Sequence, residues 1–210
     1  MHTLAENPIK SIKVSIQKAL DQSMTYEEYR NLVHELALTK SNTGLEKSES
    51  LANYTHLNDR RMGRWDKTLK FSDAAVGKVK AMKHKMTWLV LTESWCGDAS
   101  PSLPVMNKLA ELNRNLELKI VLRDEHPELM NLFLTNGTRS IPKLIALDSE
   151  TQQVLGEWGP RSAKATQMVM DEKAKNGTLS AEFKQELQVF YNKDRGQDIL
   201  NDLLELLPLK

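Results

Sequence analysis

The chain has 210 residues, enough for one substantial domain with an extension or two small ones, and a core of that size needs no disulfide staple. Its 29 Lys and Arg against 28 Asp and Glu leave a formal net charge of +1, which gives no basis for broad electrostatic binding to nucleic acid. A single cysteine, Cys96, excludes an intramolecular disulfide framework and a multi-thiolate zinc site, and no segment approaches the roughly 20 apolar residues of a membrane-spanning helix.

The N-terminal stretch MHTLAENPIKSIKVSIQKAL lacks the unbroken apolar run of a signal peptide, so the expectation is a soluble cytoplasmic protein with a reduced thiol. Asn7-Pro8 is a helix start, after which Ile9, Ile12, Ile16 and Leu20 fall on one face. Thr25 and Glu28 fit a capping box ahead of a stripe of Tyr26, Tyr29, Leu32, Val33 and Leu36. TKSNTG interrupts the pattern. Leu51, Tyr54, Leu57, Met62, Trp65 and Leu69 then predict a longer third helix, and Ser72-Asp73 caps a short fourth.

The middle of the chain alternates. TWLVLTES reads as a buried strand, SPSLPVMNKLAELN as a helix and LELKIVLRD as a second strand. HPELMNLFLTNG is a short helix, IPKLIALD a third strand and QQVLGEWG a fourth. A helix closed by Asn176-Gly177 follows. The tail is helical again, with Phe183, Leu187, Phe190 and Tyr191 on one face. Ile199, Leu200, Leu203, Leu204 and Leu207 continue after a break near Gly196. The reading is α/β, with a helical N-terminal extension over 1–80, a central unit over 81–178 and a helical tail over 179–210. The aromatic stripes of the terminal helices are read as core, and the run KVKAMKHK as a solvated face.

Cys96 stands at the strand-to-helix junction, in ESWCGDASPSLP. Unpaired N–H groups and the positive end of the helix dipole there favour thiolate, so a lowered thiol pKa is expected. Gly97 permits close approach of a partner backbone, and Trp95 can form one wall. This motif resembles the WCGPC of thioredoxins. Pro104, eight residues after Cys96, matches their helix-kinking proline, RDEHP resembles a stretch after their next strand, and SIPKLIALD resembles the segment that carries their cis proline. The likeness covers about residues 81 to 177. ESWCGD, LRDE, TNGTRSIPK and WGPR further resemble a group of bacterial thioredoxin-like proteins with a helical N-terminal extension. The resemblance implies a thioredoxin-like fold, a mixed sheet flanked by helices, and a cis Ile141-Pro142 bond bordering Cys96.

The departures bear on chemistry. Ala99 replaces the resolving cysteine, without which a dithiol cycle cannot close within the chain. Asp98 replaces the motif's proline; it can cap the helix, but its charge opposes a thiolate. Val90 stands where thioredoxins bury a proton-transferring aspartate. The leading expectation is monothiol chemistry. Cys96 forms a mixed disulfide with a protein or low-molecular-weight substrate, an external thiol resolves it, and no cofactor is required. Trp95, Gly97, Asp98, Ile141 and Pro142 shape the groove. The alternative is a redox-silent module that binds a peptide or protein beside Pro142. A third reading shares an iron–sulfur cluster between two chains through Cys96 and glutathione. Arg139 and Arg161 either pair structurally with Asp124 or Glu157, or border the groove and hold a carboxylate. Glu93 is either a buried structural acid or a general acid/base. His2, His34, His56, His84 and His126 show no paired metal-ligand spacing, so no metal is expected.

Overall fold

β1 (Met86–Thr92) is buried at every position, as a continuous apolar run in the interior of a sheet requires. In this computed structural model, which describes residues 8–208, β1 lies between β2 (Leu116–Leu122) and β3 (Lys143–Asp148), with β4 (Val154–Trp158) outside β3. The pair β1–β2 is parallel, with Met86 opposite Leu116 and Thr92 opposite Leu122. The pairs β1–β3 and β3–β4 are antiparallel. A parallel neighbour needs a crossover, supplied here by α5 (Ala99–Glu111), whereas β3 and β4 need only a short turn. β1 therefore ends where α5 begins, and the residues between them emerge at the end of the sheet beside the approach to β3. α6 (Pro127–Leu132) and α7 (Ala163–Asn176) complete the central unit. Gly177 closes α7 in the left-handed region, the conformation expected of the Asn-Gly stop.

The helical segments at both ends pack into the same core. α1 (Pro8–Asp21) is followed by α2 (Tyr26–Leu38), which begins with the expected capping box: Glu28 N–H donates to the Thr25 hydroxyl at 3.2 Å, and Thr25 N–H to the Glu28 carboxylate at 2.7 Å. Asn7, the expected cap of α1, and the side chain of Ile9 lie outside the described residues. Ser48 caps α3 (Glu49–Thr68) and Ser72 caps α4 (Asp73–Ala81). Ile16, Tyr29, Val33, Met62 and Trp65 join Trp88, Leu89 and Val90 in one apolar cluster. Between α1 and α2, Met24 N–H donates to Ile120 C=O at 2.8 Å and Ile120 N–H to Met24 C=O at 2.9 Å, so the extension also touches the outer side of β2.

In the tail, α8 (Ala181–Asp194) and α9 (Gln197–Glu205) are separated by Arg195 and Gly196, both left-handed. A Cβ at Gly196 would stand 3.0 Å from Val105 Cγ2 and 3.3 Å from Leu69 Cδ2, so the break also lets the turn settle onto α5 and the end of α3. Among the described residues no helix is long and apolar enough to cross a membrane.

Candidate ligand cleft beside Cys96

Residues 93–98 link β1 to α5 through two successive turns: Cys96 N–H donates to Glu93 C=O at 3.1 Å, and Ala99 N–H to Cys96 C=O at 3.2 Å. The linker is held from below by the N-terminal extension. Thr43 N–H donates to the Ser94 hydroxyl at 3.0 Å, Ser94 N–H to the Thr43 hydroxyl at 2.9 Å, and the Asn58 amide to Ser94 C=O at 2.9 Å. Glu93 is fully buried, and both its oxygens are engaged. One accepts from the Thr43 hydroxyl and the other from Asp124 N–H at 2.9 Å. Burial pushes its carboxyl up, opposed by those two donors. Its visible task is to tie the loop to α3's preceding segment and to the end of β2, which is the structural alternative for this acid.

Cys96 is 6 % exposed, and its Sγ donates to Ile141 C=O at 3.2 Å. Burial first, and then the Asp98 charge, push its pKa up to about 12; the Ala99 and Asp98 N–H groups and Arg161 oppose this only in part. The expected lowering is therefore overturned. The helix begins at Ala99, so its N–H groups do reach the sulfur, but desolvation outweighs them.

Asp98 also departs from expectation. It occupies the cap position in helical backbone conformation and makes no side-chain cap bond. Its carboxylate instead accepts from Arg161 at 2.7 Å and from the Tyr191 hydroxyl of α8 at 3.0 Å. Burial raises its pKa, opposed by those same two partners. Arg161 pairs with neither acid proposed for it, because Arg123 takes Asp124 at 2.8 Å and Lys143 takes Glu157 at 2.7 Å.

Two X-Pro bonds beside the thiol are cis, Ile141-Pro142 and Gly159-Pro160. Their loops are in contact. A Cβ at Gly159, where φ is +113°, would lie 2.1 Å from Pro142 C=O, so no other residue fits there. Ile141 and Pro142 are both buried. Ile141 and Pro160 reach the cleft, so the second proline loop, the WGPR segment, supplies part of the wall.

The cleft has a volume of about 600 Å³. Its floor is residues 95–98. Leu51, Tyr54 and Leu57 of α3 form one wall; Phe183 and Leu187 of α8 form the other. The stripe predicted for α3 thus divides: Met62 and Trp65 are core, while Tyr54 and Leu57, 37 % and 42 % exposed, face the opening. Gln188 of α8 donates to Gly97 C=O at 3.5 Å, joining the tail to the motif. Arg61, Arg123, Arg139 and Arg161 surround the space. Arg123 stacks over Trp95 at 5.0 Å, and Arg139 donates to Asn131 at 2.8 Å. One of the two readings of Arg139 and Arg161 set them at the groove, whereas Arg61, Arg123 and the whole of α8 were missed. The helical period marked which α8 residues would be covered, but not by what.

Residues 44–175, more than half of the chain, match the thioredoxin family. The chain belongs to that family. No curated protein matches it. Among solved structures it is similar to a protein of unknown function from Pseudomonas aeruginosa, at 18% identity and a TM-score of 0.60, over 90% of this chain and 93% of that one. An HIV epitope-scaffold matches at 19% identity and a TM-score of 0.53, over 87% of this chain and 97% of that one. At these identities the likeness is one of fold. The thioredoxin match begins in the loop before α3, so it includes the helix that walls the cleft.

Proposed function

We propose that this thioredoxin-fold chain is a binding protein whose ligand sits in the cleft beside Cys96, and that the thiol is held protonated as part of the cleft floor. The carrying observation is the pairing of a buried, hydrogen-bonded thiol, pushed up to about 12, with an open arginine-rimmed space next to it. A thiolate is the nucleophile in disulfide exchange, and this environment suppresses it.

A second reading keeps the monothiol chemistry, because Cys96 does line the cleft and Arg161 favours its ionised form. In that scheme the Cys96 thiolate attacks a protein or low-molecular-weight disulfide, forming a mixed disulfide and releasing one thiolate. An external thiol then attacks the mixed disulfide, leaves with the substrate sulfur and restores Cys96. It requires a reducing setting such as the cytoplasm and no bound cofactor.

The pH profile of alkylation separates the two. A rise from 9.0 to about 12 means roughly a thousandfold less thiolate at neutral pH, recovered in part by the greater nucleophilicity of a more basic thiolate. The native protein at pH 7.5 should react with iodoacetamide at least about 50-fold more slowly than the chain unfolded in urea. Native alkylation as fast as that of the unfolded chain, with an inflection below pH 8, establishes the monothiol reading instead.

A further inference from the structure

The cleft's charges are unequal. Arg161 is engaged by Asp98, and Arg123 by Asp124, but among the described residues neither Arg61 nor Arg139 has a carboxylate partner. Arg61 is half-buried, and its hydrogen bond goes to the neutral Asn58 side chain at 3.2 Å. Lys184 adds a further exposed cation to the lining, whereas Asp98 is the only acid there among the described residues. A half-buried guanidinium without a counter-charge is costly to hold, and a bound anion relieves that cost. Beside these cations lie the exposed faces of Tyr54 and Leu57, with Leu51 and Phe183 next to them. The occupant must satisfy both surfaces, with an anionic head and an apolar body.

Size points the same way. A volume of about 600 Å³ lies in the range of small-molecule sites, roughly 300–1,000 Å³. An extended peptide needs an open strip of backbone along the cis-proline loop, whereas α3 and α8 wall the space on two sides. Resting on the binding-protein reading above, we infer that the cleft takes a small amphipathic carboxylate, an acyl or arylalkyl acid, with its carboxylate on Arg61 and Arg139 and its apolar chain against Tyr54 and Leu57.

The test titrates the full chain with octanoate and, separately, with 1-octylamine and 1-octanol, following thermal stabilisation and the amide resonance of Gly97. Octanoate should bind saturably and shift Gly97, while octylamine should not. Arg61→Gln and Arg139→Gln should each weaken octanoate about tenfold, as the loss of a charged hydrogen bond does. Leu57→Glu, at an exposed position that does not threaten folding, should abolish binding. Octanoate binding that survives both arginine substitutions, or equal binding of octylamine or octanol, overturns the inference. A tripeptide with a free C-terminal carboxylate that shifts Gly97 where octanoate does not also overturns it, yet leaves the cleft-binding reading standing. No shift of Gly97 with any of these probes overturns both.

Discussion

Asp98 is the residue on which the character of the site turns. Its charge is the second cause of the raised Cys96 pKa, after burial, and it also draws Arg161 and Tyr191 into the motif. Asp98→Asn should therefore lower the thiol pKa, since a like charge is removed and Arg161 is freed to face the sulfur. Alkylation at fixed pH should accelerate about tenfold or more, while stability falls by about 1–3 kcal/mol as the bonds to Tyr191 and Arg161 weaken. An unchanged alkylation rate would mean that burial alone holds the thiol. The neighbouring Ala99 permits a complementary test. Its N–H reaches the Cys96 carbonyl across a tight turn, which brings the two Cα atoms within the roughly 4.4–6.8 Å a disulfide tolerates. Mild oxidation of Ala99→Cys should leave no free thiol after unfolding; two free thiols would show that residue 99 points away. At this scale the sequence was legible where the cause is local: the strand, the turn and the cysteine's place between them. The thiol's acidity was legible only in part: the opposing charge of Asp98 is visible in the chain, but burial, the larger cause, and the counteracting Arg161 are brought to Cys96 only by the fold.

Among the elements, the two proline loops and the two flanking helices make the cleft. Gly159 fits against the Pro142 carbonyl with no room for a side chain, and its positive φ compounds the restriction. Gly159→Ala should cost on the order of 3 kcal/mol, from strain and a forced backbone shift, and should loosen the Pro160 wall. A melting temperature within a degree of wild type would argue that the loops separate freely. The strands and helices of the central unit follow their periodicity closely, since burial of β1 and β3 is dictated by apolar runs in the chain. The stripe of α3 shows the limit of such reading. Leu51, Tyr54 and Leu57 share the period of Met62 and Trp65, but periodicity tells which residues share a face and not whether anything covers it. The same holds for α8, whose apolar face both lines the cleft and joins the core.

Taken whole, the molecule builds its site from three parts of the chain, with the thioredoxin-type unit as floor and the two helical ends as supports. Thr43, Thr55 and Asn58 hold Ser94, while Tyr29, Val33, Met62 and Trp65 fill core beneath the sheet. Removing residues 1–70 strips these contacts and exposes the apolar surface they cover, worth about 25 cal/mol per Å². The truncated chain should show a lost or broadened thermal transition by circular dichroism and bind a hydrophobic dye; a sharp transition at the wild-type temperature would mark the extension as dispensable. The hydrogen bonds between Met24 and Ile120 carry a separate consequence. β2 is the outermost strand on its side, and an unpaired outer strand offers its N–H and C=O groups to any other copy of the chain. Met24 occupies the middle of that strand with a single bridge, enough to interrupt a continuous ladder between two molecules. A chain shortened past Met24 would keep much of its core and yet gain a surface for strand-to-strand self-association, so this short linker between two helices guards the molecule against its own copies.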